Sequence, residues 1–239
     1  QRAYDSFTPE ETYSPVVSKD TLRLFLSICA KKNLTIFQAD VKAAFLQAPL
    51  KEEIYMRAPA GYVNDKGESN VVFKLKRAVY GLKQASSCFW SAVSEHLYSL
   101  GFHSLTGDPC LFQKKLSNGS KMLVCCYVDD ITYAVEKKED GDLFLDEMRQ
   151  RFFIGKEEGK PIEWLLGMSI KQDVEKGTVH MNMSSMIDKL ANLVLDDNER
   201  RKALSTTTPM LVTPLQKQDE RTVPVEKFDY LSVVGSLLH

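Results

Sequence analysis

Two rhythms of hydrophobic and polar positions alternate along this chain, and the points where one gives way to the other predict its elements. After Pro15, Leu22, Phe25, Leu26 and Cys29 recur at helical spacing, and Asn33 is a natural stop. Residues 34–41 (LTIFQADV) read as a strand ending at Asp40, and VKAAFLQA as a short helix broken by Pro49. Between Ile54 and Gln84, the runs IYMRAPAGYV and NVVFKLKRAVYG flank a polar Asn-Asp-Lys-Gly turn and predict a projecting hairpin. Residues 85–100 return to helical spacing, with Phe89, Val93, His96, Leu97 and Leu100 on one face and Gly101 as terminator.

Strand periodicity resumes from Cys110 to Leu116, turns at Ser117-Asn118-Gly119-Ser120 and runs through KMLVCCYVDDITYAV, so three antiparallel strands follow one another. A helix is predicted from Asp140 to Phe152 with Leu143, Phe144, Met148 and Phe152 buried. Trp164 to Gln172 (WLLGMSIKQ) and Thr178 to Asn182 predict a further hairpin around Glu175-Lys176-Gly177, and Ser184 to Leu195 a helix capped by Ser184 or Ser185. Residues 206–225, polar and carrying three prolines, read as a linker or arm, after which FDYLSVVGSLLH regains apolar character. Helices interleaved with antiparallel runs argue for an α+β fold, and the strand–helix–strand–strand–helix order around Asp40 and Asp129 fits a split βαβ, ferredoxin-like core.

Composition narrows the classes. A chain of 239 residues supports one large domain or two smaller ones, each with a core. No apolar run is long enough to span a bilayer and no leader precedes the first helix, so a soluble protein is expected. Five cysteines, odd in number, lying in apolar segments and without a Cys-x-x-Cys pair, predict reduced core thiols of an intracellular protein, with neither zinc nor disulfides. The first dozen residues lack periodicity and an initiating Met, and both ends look cut from something longer.

Net charge is −1, from 31 basic and 32 acidic residues, so any phosphate-binding surface must be local. The best run is Lys74, Lys76, Arg77 and Lys83 interleaved with Phe73, Tyr80 and Leu82, although a solvated strand face explains it as well. His96, with no second imidazole or thiol at ligand spacing, reads as a core histidine.

The segment that asks for chemistry is Lys121–Val135, where apolar strands flank Asp129 and Asp130. Strand alternation puts Asp129 on a face with Tyr127 and Cys125 and lets Asp130 begin the turn. Two adjoining carboxylates at the end of a buried hairpin repel unless a cation or donors compensate them, whereas a solvated tip would need nothing. In a split βαβ core the first strand adjoins the central hairpin, which brings Asp40 beside the pair. Three carboxylates on neighbouring strand ends form a hard-oxygen site suited to Mg²⁺, and two such ions would serve an in-line phosphoryl displacement. Nucleotidyl transfer is the expected chemistry.

These residues also carry a family resemblance. Tyr127-Val128-Asp129-Asp130 between apolar strands resembles the YxDD hairpin of reverse transcriptases. QADVKAAFLQAPLKEEIYMRAPAGY together with AVYGLKQ is similar to the copia-type retrotransposon branch, and SPVV near Ser14, DPCLF at Asp108 and LGMSI near Gly167 match in the same order. The resemblance implies a palm over residues 36–155 with a fingers hairpin at about 50–84. It also implies a fingers/palm edge in 1–35, truncated upstream, and a primer-gripping hairpin, thumb remnant and connection in 156–239. It makes Asp40 and Asp129 ligands of two Mg²⁺ ions, with Mn²⁺ as substitute, Asp130 the third carboxylate and the Val41 carbonyl a further ligand. Phe45 would exclude a ribose 2′-OH, Gln84 would lie near the nucleotide sugar, and Lys83 would reach phosphate. Tyr127, Trp164, Leu166 and Gly167 would contact nucleic acid.

The implied activity is RNA-directed DNA polymerase, joining dNTPs to a DNA primer on an RNA or DNA template. The implied partners are the rest of a Pol polyprotein with its ribonuclease H and integrase, and a second subunit forming a dimer. The implied location is a cytoplasmic virus-like particle, then the nucleus, with no membrane. The chain departs from the branch at Ser86 and Ser87, where a proline and a basic residue are usual, and the triphosphate-holding fingers strand and the ribonuclease H domain would lie outside residues 1–239. A degenerate or repurposed copy that binds nucleic acid or protein without polymerising is the alternative, and a plain α+β domain with an acidic hairpin is the third reading.

Overall fold

The computed structural model describes residues 12–194 and 233–235. Contacts divide the chain into two compact units, Gln1–Glu163 with Lys171–His180, and Trp164–Ile170 with Met181–His239. Among the described residues the fold mixes helices with antiparallel sheets, as the α+β reading expects.

In the first unit, Ser18 caps α1 (Lys19–Lys31) by accepting a hydrogen bond from the Thr21 N–H. The predicted stripe of Leu22, Phe25, Leu26 and Cys29 is its buried face. Asn33 adopts φ 51°, the left-handed conformation that asparagine tolerates, and turns the chain into β1 (Thr35–Asp40). A single 3-10 turn, Ala44–Gln47, stands where a short helix was expected, and it leads into β2 (Pro49–Arg57). β2 pairs only with β3 (Val72–Arg77), and the turn between them is longer than Asn-Asp-Lys-Gly. Within that turn the Asn64 side chain accepts from the N–H groups of Lys66 and Glu68.

The helix α2 (Ala85–Ser99) precedes β4 (His103–Leu105), a short edge strand that the polar sequence concealed. There follow β5 (Asp108–Lys115), β6 (Lys121–Tyr127), β7 (Asp130–Val135) and α3 (Lys138–Arg149). A two-residue β8 (Lys160–Pro161) completes a six-stranded sheet of order β4-β5-β6-β7-β1-β8, antiparallel throughout.

Strand periodicity sorts the sheet into two faces. Phe37, Ala39, Ile131, Tyr133, Val124, Cys126 and Phe112 pack into one core with Phe89, Val93 and Leu97 of α2 and Phe144, Leu145 and Met148 of α3. Ile36, Leu111, Leu123, Cys125, Thr132 and Ala134 are buried on the other face, where Cys29 of α1 lies close to Cys125. The helix α3 begins two residues before the predicted Asp140, and its buried face is Gly141, Phe144, Leu145 and Met148. Leu143 is 65% exposed, which corrects its expected burial, and Phe152 is buried just beyond the helix end.

WLLGMSIKQ, of which Trp164–Ile170 fall in the second unit and the rest in the first, is not one strand. β9 (Trp164–Leu165) ends at a two-residue turn in which Leu166 and Gly167 both have positive φ, 50° and 77°, and β10 (Met168–Asp173) returns with Leu165 paired to Met168. β10 also neighbours β11 (Thr178–Asn182). In α4 (Ser184–Val194) the Ile187 N–H donates to the Met183 carbonyl, and Asn182 Oδ1 accepts from the Ser184 N–H. Asn182, rather than Ser184 or Ser185, therefore supplies the side chain at this terminus. The arm at 206–225 and most of FDYLSVVGSLLH lie outside the described residues, as do the first eleven.

Candidate active site

The two inner strands β7 and β1 end together. Asp130 is the register partner of Asp40 on one side and of Tyr127 on the other, so the three form a row across β1, β7 and β6. The hairpin turn is Val128-Asp129. Asp130 therefore opens β7 instead of beginning the turn, and Asp129, inside the turn, does not follow the face of Tyr127 and Cys125. Val128 has φ 54°, a conformation strongly disfavoured for a β-branched residue, so the surrounding fold holds this turn against local preference. Part of that hold is visible: the Asp129 carbonyl accepts from the Val41 N–H at 3.0 Å. Val41 is itself buried, bridged to Ile154, while the Lys42 N–H donates to the Phe153 carbonyl at 3.0 Å.

The charge at this end is concentrated. Burial pushes the Asp130 carboxyl above its ordinary range, and the negative charges of Asp129, Asp40 and Glu158 push it further, against a lowering hydrogen bond from Gln38. That bond runs from Gln38 Nε2 to Asp130 Oδ1 at 3.3 Å. Glu158 is a fourth carboxylate: its Oε2 accepts from the Asp40 N–H at 3.2 Å. Lys42 Nζ lies 2.8 Å from Asp40 Oδ2 and 3.5 Å from Glu158 Oε1, and its hydrogen bond and attraction to Asp40 raise its own pKa. Among the described residues no three metal-ligating side chains converge as they stand. The donor set nevertheless fits a hard cation, because the groups able to ligate it here are carboxylate oxygens and the mutual repulsion felt by Asp130 is what a divalent ion relieves.

Other predicted site residues take distinct places. Phe45, on the 3-10 turn, is half-buried and packs at 4.9 Å between ring centroids on Tyr80 and 6.3 Å on Phe89. Gln84 stands at the N-terminus of α2, buried, and helps line a cavity of about 280 Å³ with Glu52, Ser87 and Cys88; Lys83 beside it is exposed. Trp164, Leu166 and Gly167 belong to the second unit, on the β9–β10 hairpin, with Trp164 exposed. Of the basic run, Lys74 is ion-paired with Glu53 and Arg77 reaches the Leu46 carbonyl. His96 has a core role, its Nε2 against the Glu147 carbonyl at 3.1 Å and its ring on Phe152. The five cysteines are free thiols, and burial pushes Cys29, Cys110 and Cys125 up to about 12.

Sequence reasoning missed Gln38, Lys42 and Glu158. Gln38 carried a faint signal, since it lies two residues before Asp40 on one strand and so on one face. Glu158 carried none, because its contact with Asp40 joins distant parts of the chain.

Comparison with known proteins identifies the family. The family model for reverse transcriptase (RNA-dependent DNA polymerase) matches residues 1–212. The retrovirus-related Pol polyprotein from transposon RE1 of Arabidopsis thaliana is 32% identical over 230 residues, covering 95% of this chain and 15% of the relative. That from transposon TNT 1-94 of Nicotiana tabacum is 30% identical, over 96% of this chain and 17% of the relative. A Ty1-MR1 Gag-Pol polyprotein of Saccharomyces cerevisiae is 24% identical over 92% of this chain. The chain thus spans about a sixth of the length of the plant relatives it matches. With the matched span embracing Asp40, Asp129 and Asp130, the chain belongs to the reverse transcriptase (RNA-dependent DNA polymerase) family, in the branch of copia-type Pol polyproteins.

Proposed function

We propose that this chain is the polymerase region of a retrotransposon Pol polyprotein and catalyses RNA-directed DNA synthesis. The observation that carries the reading is the pairing of Asp40 with Asp130 across β1 and β7, with the Val41 N–H bonded to the Asp129 carbonyl. The strand order β8-β1-β7-β6, with α2 and α3 on one face, supports a palm of the split βαβ, ferredoxin-like kind. The β2–β3 hairpin suits part of the fingers, and the second unit a primer-gripping hairpin with the start of a thumb.

In this reading Asp40, Asp129 and the Val41 carbonyl hold two divalent ions, with Asp130 beside them. Mg²⁺ held there, or Mn²⁺ in its place, would supply activation of the primer 3′-hydroxyl and stabilisation of the departing pyrophosphate oxygen. The chain's own residues provide placement. Gln38 orients the Asp130 carboxylate, and the Val41–Asp129 bond fixes the turn that presents Asp129. Phe45, braced by Tyr80 and Phe89, stands where a ribose 2′-OH would collide, so deoxynucleotides are selected. Gln84 approaches the nucleotide sugar and Lys83 the phosphates, while Tyr127, Trp164, Leu166 and Gly167 contact the primer and template. The substrates are therefore dNTPs, a DNA primer and an RNA or DNA template. The parent polyprotein would add ribonuclease H and integrase, a second copy would serve as dimer partner, and the work would take place in a virus-like particle.

Primer extension on poly(rA)/oligo(dT) tests the reading, using both this chain and a longer piece of its polyprotein with Mg²⁺ or Mn²⁺. Extension that disappears in Asp129→Asn is the expected result. Folded proteins that extend nothing in either form would favour a non-catalytic copy.

A further inference from the structure

Lys42 and Glu158 both belong to the carboxylate end, and the proposed nucleotidyl transfer uses neither. The Lys42 ammonium group lies where a cation between Asp40 and Glu158 would lie, 2.8 Å from Asp40 Oδ2 and 3.5 Å from Glu158 Oε1. The lysine and its second carboxylate, Glu158, differ in how firmly they are held. Glu158 is 18% exposed and the Lys42 side chain 44%. Glu158 Oε2 is engaged by the Asp40 N–H, and the Glu158 N–H donates to the Gly155 carbonyl at 3.2 Å.

The next residue, Gly159, has φ 84° and donates to the Gln38 carbonyl at 3.0 Å, and β8 then pairs Lys160 with Gln38. A Cβ on Gly159 would come within 2.6 Å of Leu145 Cδ2, so this stretch of backbone has little freedom. A lysine on a flexible, half-exposed stem faces a carboxylate on a rigid one. The cation can therefore move while its second anchor stays.

Resting on the reading that Asp40 binds a divalent ion, we propose that Glu158 is a positioning residue that gives Lys42 a second seat. Lys42 neutralises Asp40 while the site holds no divalent ion and shifts onto Glu158 when one arrives. Asp40 Oδ2 cannot serve both cations, because ammonium and divalent ion repel across so short a distance. Without Glu158 the lysine keeps Asp40 as its one ion-pair partner among the described residues and competes for it at full strength. With it, displacement needs only a small swing of the Lys42 stem, since the Glu158 contact already exists. Glu158 also fixes the Asp40 backbone, and Glu158→Gln keeps an acceptor oxygen for that bond, so the substitution isolates the charge.

The test is a Mn²⁺ titration of the full chain, read from the electron paramagnetic resonance of free Mn²⁺ at fixed ionic strength. It compares the parent protein with Lys42→Met, Glu158→Gln, the double variant and Asp129→Asn. Lys42→Met is expected to bind Mn²⁺ about fivefold more tightly and Glu158→Gln about fivefold more weakly, the scale of a modest coupling between sites. In the Lys42→Met background, Glu158→Gln should lose most of its effect, because there is no lysine left to seat. A Glu158→Gln loss of equal size in both backgrounds would mean that Glu158 acts on the ion directly and would overturn the proposal. A lower unfolding midpoint with unchanged Mn²⁺ affinity would make Glu158 merely structural and overturn it too. Binding that vanishes in Asp129→Asn but ignores Lys42 and Glu158 would overturn this inference alone. Binding that is absent, or indifferent to Asp129, would overturn the polymerase reading with it.

Discussion

The first unit carries two β-hairpins of similar length, β2–β3 and β6–β7, and their burial differs sharply. In β6–β7 nearly every residue is buried, because β5 and β1 pair on either side and core lies against both faces. In β2–β3 no residue is fully buried, and among the described residues neither strand has a second partner. Only β6–β7 can hold Val128 at a positive φ and crowd Asp129 and Asp130 near Asp40, since its neighbours resist relaxation. Carboxylates that repel one another need a stiff frame, whereas a surface that follows a flexible ligand does not.

That contrast can be broken or sharpened by substitution. Phe144 packs on Tyr133 of β7 at 5.2 Å and on Phe102 at 5.5 Å, so Phe144→Ala should cost about 3–5 kcal/mol in urea unfolding. Phe73 of β3 is half-buried against Tyr62, and Phe73→Ala should cost about 1 kcal/mol. Equal losses at the two positions would contradict the comparison. Gly159→Ala combines a left-handed backbone with a contact on Leu145, so a loss of roughly 1–3 kcal/mol is expected on the same scale.

A pH measurement probes Asp108, the first residue of β5. Burial would raise the Asp108 carboxyl, but the N–H groups of Ser18 and Cys110 and the Thr21 hydroxyl hold it below its ordinary 3.8. The folded pKa is thus lower than the unfolded one. Its stabilisation is complete above pH 3.8 and is lost as the pH falls through the folded value. Asp108→Asn should therefore lower the thermal midpoint at neutral pH and flatten the acid limb of the stability curve. The smallest effect is expected at the turn. Val128→Gly removes backbone strain but adds chain freedom to the unfolded state, so stability should stay within about 1 kcal/mol of the parent. Primer extension should nonetheless slow, because a looser turn presents Asp129 less firmly.

Much of this was legible in the residues. The period-two runs around Asp129 and Asp130, the strand ending at Asp40 and the α1 stripe each announced themselves locally, and tertiary structure kept them. The turn was misplaced because aspartates favour turns and valine shuns a left-handed backbone, so local preference pointed one residue too far along. Leu166 hid the β9–β10 turn in the same way. Leu143 was misassigned because the buried stripe is Gly141, Phe144, Leu145 and Met148, and Gly141 has no apolar side chain to show that Leu145 and not Leu143 shares its face. Lys42 and Glu158 were invisible for a different reason: their meeting depends on β8 pairing with β1, which no local pattern encodes.

The central claim is that Asp40, Asp129 and Asp130 act as one ion-binding unit, and single-turnover primer extension tests it most directly. Asp40→Asn, Asp129→Asn and their combination are compared with the parent at saturating Mg²⁺ in a polyprotein piece that extends primers. Metal charge stabilisation is worth several kcal/mol, so each single substitution should slow extension on the order of 10³-fold. The pair should be scarcely slower than either alone, because removing one member already disables the unit. Rates near the parent's, or losses that simply multiply, would contradict the account.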